Sequence, residues 1–368
     1  MKNLLKHRGA LIGCLALLAF VLLPFAGFSV PWILPGTLNV VNSSGTLIVL
    51  ALCFLFAGVA VGYDLMIGFT GLLSLGPVLY FASGAYVFDI AITRWSWPLV
   101  PALALTFGVA FVLAVLLGAI ALRVDGIAFA MVTLAFAQAF YYLVENNPHN
   151  FTGGDTGLAL SDVRLPAFLS GAVSNTRNLY WVALAFLVVA FIVVWLVTES
   201  VTGHVFVAVR ENEKRLDVLG IRPFRFKLAS FVLSSLIAAG GGVIFILVIG
   251  TAVPSTVAST SVTISILIMV VLGGSGTRWG AVMGAMVYVY LQQYLLKVAG
   301  EPSFTTLPAV LRVPLSQPQF LLGALFVLFV LFVPGGIAGL FARIGYKRDP
   351  SLGKPRWRTL SIAKALKK

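Results

Sequence analysis

The sequence predicts an all-α, polytopic integral membrane bundle of about ten transmembrane segments, with broken helices and both termini in the cytoplasm. Three observations carry this. Of 368 residues, 60% are hydrophobic and 10% are charged, where a soluble domain carries about a quarter charged. The mean hydropathy of +1.03 also excludes disorder, which needs low hydrophobicity. Apolar runs near the ~20 residues that a helix needs to cross a bilayer recur along the chain. Finally, the basic residues segregate to one side once those runs are threaded back and forth.

The runs, in order, are Gly9–Val30, Ser44–Val61, Leu73–Ile92, Pro98–Leu122, Ile127–Val144, Leu179–Thr198, Leu228–Gly250, Val262–Leu272, Gly280–Leu296 and Gln319–Phe341. The first lacks a clear small-residue cleavage site, so it reads as a span rather than a removed signal. Residues 262–296 are too long for one straight span and short for two. The run Gly273-Gly274-Ser275-Gly276 divides them, so two pieces joined by a turn are expected. With the N-terminus inside, 20 of the 25 Lys and Arg fall on the inner side. The other five, Arg94, Arg164, Arg177, Lys297 and Arg312, fall outside. A single helix over 262–296 would place the basic tail outside and spoil that split.

No linker divides the chain. Residues 1–341 form a transmembrane domain with an outer loop at 145–178 and a charged inner loop at 199–227. Residues 342–368 form a basic cytoplasmic tail, suited to anionic lipid on the inner leaflet. The net charge of +13 is thus spent on membrane sidedness, and nucleic acid is not expected as a partner. Cys14 and Cys53 lie in apolar runs with no CxxC pair, so neither a disulfide nor a metal site is expected.

Active-site chemistry is missing. Asp64 and Asp89 fall at span ends, and Asp125 is two residues from Arg123, as an interfacial pair would be. His7, His149 and His204 lie outside the runs. There is no HExxH and no phosphate-binding G-x-x-x-x-G-K-[ST] loop. No ionisable group stands out at mid-depth, where a proton-coupled carrier keeps one. The chain is therefore expected neither to perform covalent chemistry nor to carry its own energy source.

The inner loop offers another route to energy. The spacing predicts a helix over about Val205–Leu219, with Val205, Val209, Leu216 and Leu219 on one face and Glu211 and Arg215 at i,i+4. Gly220 and Pro223 end it. Such a helix either lies on the inner leaflet or docks into a groove on a cytoplasmic partner.

Five segments, in order, resemble the permeases of branched-chain amino-acid ABC importers, over about residues 44–300. They are Gly68–Gly76 (GFTGLLSLG), Phe129–Phe136 (FAMVTLAF), Thr152–Leu158 (TGGDTGL), the inner loop (AVRENE at 208–213, LGI at 219–221, KLASF at 227–231) and Val270–Gly280 (VLGGSGTRWG within it). The resemblance implies a non-enzymatic, multi-pass permease subunit of a bacterial inner membrane, importing branched-chain amino acids by alternating access. It implies a second homologous permease subunit, two cytoplasmic ATP-binding subunits carrying ATP and magnesium, and an extracytoplasmic solute-binding protein. No cofactor is implied for this chain itself. Arg210, Glu211, Asn212, Leu219 and Gly220 match the family's ATPase-docking element. Urea and short-amide permeases share the pattern and remain an alternative solute class. Pro77, where many relatives carry a polar residue, and the long basic tail depart from it.

Other readings stand beside these. Thr70 and Ser74 either line a solute pathway or cap backbone where the chain is irregular. Thr133 and Gln138 are the polar residues of the fifth run and face the bundle interior, as pathway candidates. Phe129–Phe136 otherwise reads as packing, and Thr152–Leu158 as an outer loop or a contact for the binding protein. Ser230, Ser234, Ser235 and Gly240–Gly242 give the seventh run a small-residue face for helix packing or a subunit interface. Glycine punctuation at 71–76 and 276–280 is a faint internal echo. An autonomous secondary carrier or channel is the rival that needs no partner ATPase; a lipid-modifying membrane enzyme is the other.

Overall fold

A computed structural model describes residues 20–25, 43–147, 150–160, 166, 168–169, 175–299, 317–332 and 335–340. The first run is described only at 20–25. Most of Gly9–Val30, part of the outer loop and the basic tail lie outside the described residues.

The described chain is a helical bundle. Its elements are α1 (Ser44–Asp64, continued by a π-helical turn Leu65–Thr70), α2 (Pro77–Thr93), α3 (Leu99–Ala121), α4 (Ile127–Glu145), β1 (Leu158–Ala159) and α5 (Thr176–Glu199). They continue with α6 (Val201–Glu211), α7 (Glu213–Val218), α8 (Pro223–Ile249), β2 (Thr251–Ala252), α9 (Pro254–Val257), α10 (Thr260–Gly273), α11 (Arg278–Ala299) and α12 (Pro318–Phe332). Six helical segments among the described residues are long and apolar enough to cross a membrane, and α2 and α12 hold shorter apolar helices. The expected turn inside 262–296 is present: α10 ends at Gly273, and Gly274 (φ 105°) and Gly276 (φ 81°) reverse the chain.

Three boundaries differ from the sequence reading, each for a local reason. The third apolar run is expected to start at Leu73, but α2 begins at Pro77. Pro is favoured in the first turn because its missing N–H would be unpaired there anyway. The last run is helical to Phe332, and Gly335 and Gly336 both take positive φ before residues 336–340. The inner loop is not one helix over 205–219. It breaks at Asn212, which is extended (φ −164°, ψ 99°) and whose side-chain oxygen accepts the Arg215 N–H at 3.1 Å as the N-cap of α7. Glu211 and Arg215 therefore stand on different helices.

Burial divides the helices. About 72% of the α1 and α8 spans is buried within the chain, against 22% for α3 and 28% for α4 and α5. α1, α2 and α8 form the centre, where small residues let backbones approach. A Cβ on Gly84 would lie 2.7 Å from the Ala239 backbone, and one on Gly62 would meet the Ile237 side chain at 2.7 Å. The small-residue face expected on the seventh run thus packs within this chain. α3 buries Ala102, Thr106, Ala110, Ala114 and Gly118, one per turn, and leaves Phe107, Phe111, Leu116 and Ile120 exposed. Lipid or another subunit must cover that apolar face.

Candidate functional site

The described helices alternate in direction, so their connections collect at two ends. One end gathers the turns after α1, α3, α5 and α10, with the charged 199–227 loop. By the distribution of basic residues it is the cytoplasmic end. The other gathers the turns after α2, α4 and α8.

At the cytoplasmic end three segments that the sequence singled out separately meet. α1 finishes in a π-helical turn, stopped by Gly71 in the left-handed region (φ 78°). The last carbonyls of any helix lack intrahelical donors and carry its negative dipole end. Here the Gly68 carbonyl receives a hydrogen bond from Arg210 Nη1 on α6. Asp64, 1% exposed, accepts the Gly276 N–H on Oδ1 at 2.7 Å, tying the α10–α11 turn to α1. Its Oδ2 has no hydrogen-bond partner. The packing has room for no side chain at two of these glycines: a Cβ on Gly68 would lie 2.7 Å from Gly276 Cα, and one on Gly71 2.8 Å from Arg210 Cγ. The last turn of α1, just ahead of the first of the two glycine segments read as an echo, is therefore in direct contact with the start of the second.

The segment between α1 and α2 is irregular but satisfied. Tyr63 donates its hydroxyl to the Ser74 carbonyl at 2.5 Å. Thr70 donates to the Leu65 carbonyl at 3.1 Å, and Ser74 Oγ accepts the Gly76 N–H at 3.2 Å. Thr133 Oγ1 accepts the Leu75 N–H at 3.0 Å and donates to the Ala130 carbonyl at 2.9 Å. Thr70, Ser74 and Thr133 thus cluster around one stretch of backbone and spend these hydroxyl contacts on it. Gln138 stands apart, half-buried, and donates to Thr260 Oγ1 at the start of α10.

Of the five loop residues, Arg210 joins this cluster. Glu211, Asn212, Leu219 and Gly220 are exposed, Leu219 by 68%, and Gly220 takes φ 79° in open space. Two further charged ties hold the same end. Lys227 meets Asp125 Oδ1 at 3.0 Å and Glu213 Oε2 at 2.5 Å. Arg278 meets Glu199 at 2.9 Å and Thr198 at 3.0 Å. Asp125, expected beside Arg123, thus has Lys227 as its partner. Reach explains this: the long Lys227 side chain at the start of α8 bridges segments that residues two apart cannot.

The sequence reading missed Asp64, Lys227 and Gly276 as organising residues. The available signal was Asp64 itself, a carboxylate abutting an apolar run and four residues ahead of a glycine motif. Asp89 was also placed at a span end. It is 0% exposed within α2, with Oδ1 accepting from Thr93 at 2.8 Å and Oδ2 unpaired.

The opposite end is held differently. β1 pairs antiparallel with β2, Leu158 opposite Ala252. Tyr86 donates to the Ala252 carbonyl at 2.7 Å, and Arg94 donates to the Asn150 carbonyl at 2.8 Å. Asn147 Oδ1 accepts the N–H groups of Thr152 and Gly153 at 2.9 and 3.1 Å. Gly153, Gly154 and Gly157 all adopt positive φ, as their use in a tight outer loop requires.

The family described as branched-chain amino acid transport system, permease component, matches residues 45–331. The high-affinity branched-chain amino acid transport system permease protein LivM of Escherichia coli (strain K12) is 27% identical over 321 residues, covering 80% of this chain and 70% of that protein. The like-named protein of Salmonella typhimurium is 26% identical over the same shares. The autoinducer 2 import system permease protein LsrC of Klebsiella pneumoniae is 28% identical over 233 residues, 61% of this chain and 59% of that protein. No solved structure matches the chain. A glycine-jointed helical bundle matched along more than three quarters of its length belongs to the branched-chain amino acid transport system permease family, whose members are transport subunits rather than enzymes, and it is a multi-pass protein of the inner membrane.

Proposed function

We propose that this chain is a permease subunit of an ATP-binding-cassette importer for branched-chain amino acids, and that residues 201–220 are where the ATP-binding subunits push. One observation carries the docking assignment: the Arg210 guanidinium, on the charged inner loop, grips the last turn of α1 beside the Asp64–Gly276 contact. A push on α6 is thereby delivered to α1 and to the α10–α11 turn. Glu211, Asn212, Leu219 and Gly220 remain outward to meet a groove on the partner. A second permease subunit of the same family covers the apolar outer faces, two ATP-binding subunits carry ATP and magnesium, and a binding protein delivers solute at the opposite end. Nothing in this chain cuts a bond.

Thr70, Ser74 and Thr133 act in this reading as caps that let α1 and α2 change their angle without exposing unpaired backbone. Gln138 belongs to the solute pathway, held by Thr260 at the start of α10. The solute class rests on the relatives' names, and one of them is named for autoinducer 2 import. Competition for uptake by leucine, valine and urea separates branched-chain amino acids from short amides.

The docking role is tested by Arg210→Ala combined with Glu211→Ala. The altered chain is expected to insert normally and to recover less ATP-binding subunit from membranes in mild detergent. Full recovery with unchanged uptake would refute the role. Uptake that followed an ion gradient without ATP would instead establish the autonomous carrier.

A further inference from the structure

Lys227 is an unusual cation to find at this position. It lies in the first turns of α8 with its side chain 7% exposed, and a desolvated ammonium is costly unless it stays paired. Its two carboxylates come from segments far apart in the chain: Asp125 from the α3–α4 turn, and Glu213 from the start of α7. The Asp125 side chain is 78% exposed. α7 is six residues long, buries only Leu216, and is flanked by the break at Asn212 and the open turn at Gly220. Arg210, by contrast, attaches the other half of the loop to α1 and the α10–α11 turn.

We propose that Lys227 is a positioning residue that clamps α7 and the α3–α4 turn to the first turns of α8, so that a push on the docking loop reaches α3, α4 and α8 together. The inference rests on the docking assignment above and adds a second output to it. α3, α4 and α5 are the least buried of the long spans, at 22%, 28% and 28%. α3 lays its small-residue stripe on α8, with Gly118 against Phe231 and Leu228, so the two helices can shift as a unit against lipid or a neighbouring subunit. The clamp tolerates the shift because both of its charged contacts travel with it.

The experiment uses the complete transporter with its partner subunits, reconstituted in vesicles, and reads leucine uptake and ATP hydrolysis together. Lys227→Met keeps the apolar stem and removes the charge. The complex is expected to assemble and hydrolyse ATP, while uptake per ATP falls about tenfold; Lys227→Arg should recover most of it. Asp125→Asn, a change at an exposed position, releases only the α3–α4 side and is expected to lower uptake per ATP about threefold. It also guards against a Lys227→Met chain that fails to fold. Unchanged uptake per ATP in Asp125→Asn, with an intact complex, overturns the clamp while leaving the docking assignment standing. A wild-type complex that recovers no ATP-binding subunit overturns the docking assignment and the clamp with it.

Discussion

The two ends of the bundle are built on different principles. At the cytoplasmic end, long charged side chains reach across the chain: Arg210 to Gly68, Lys227 to Asp125 and Glu213, Arg278 to Glu199. At the opposite end, beside the reach of Arg94 to the Asn150 carbonyl, contacts of backbone and neutral side chains prevail. Asn147 holds a turn a few residues away, three glycines bend the loop, and β1 and β2 exchange a two-residue ladder. Charged reach suits an end that must pass motion between helices. Local hydrogen bonding suits an end that needs a defined surface for a delivering partner. The difference also fits the sidedness of the charge, since Lys and Arg are retained on the inner face and each is free to find a distant acceptor there.

That contrast can be broken or sharpened by substitution. Arg210→Glu should have the largest effect, because it reverses the charge at the negative end of the α1 dipole and beside Asp64. Uptake should fall by more than about twentyfold, with insertion, measured by cysteine accessibility of the outer loop, unchanged. Gly276→Val comes next. The site has φ 81°, and its Cβ would lie 3.3 Å from the Gly68 carbonyl oxygen. A cost of about 2 kcal/mol or more is expected in thermal unfolding of the detergent-solubilised chain, together with loss of uptake.

The outer end should give smaller and more local effects. Gly157→Ala forces an alanine into φ 73° with the Ala252 carbonyl carbon 2.8 Å from its Cβ. About 1–2 kcal/mol of local stability should go, seen as faster proteolysis of the 150–160 loop, with uptake reduced only a few-fold. Asn147→Ala removes the shared acceptor of the Thr152 and Gly153 N–H groups and should cost about 1 kcal/mol, visible in the same assay with near-normal uptake. An outer-end substitution that abolished uptake while leaving the loop protease-resistant would contradict the division of labour.

Much of this was legible before any coordinates. Nine of the ten apolar runs appear as helices over most of their length, and the turn inserted at 273–276 to keep the charge balance is present. Gly250 closes α8 at the end expected for the seventh run, while Pro223, read as blocking the loop helix, opens α8 five residues ahead of the expected start at Leu228. The failures are equally specific. The helix expected over 205–219 breaks because Asn212 can satisfy the α7 N-terminus with its own side chain, a choice that apolar spacing does not register. Thr70 and Ser74 could not be divided between pathway and capping from sequence, since a hydroxyl near irregular backbone fits both, and Thr133, read as a pathway candidate, accepts the Leu75 N–H instead.

By itself, the sequence determined what each stretch is immersed in. Composition, run length and the side of each Lys and Arg settle lipid against water and inside against outside, because those preferences are properties of single residues and short windows. Which stretches meet emerges only once the chain is folded. The acceptor that Arg210 finds is the Gly68 carbonyl, and the donor that Asp64 finds is the Gly276 N–H. Backbone groups are the same at nearly every residue, so nothing in a residue's identity marks which of them a distant side chain will reach.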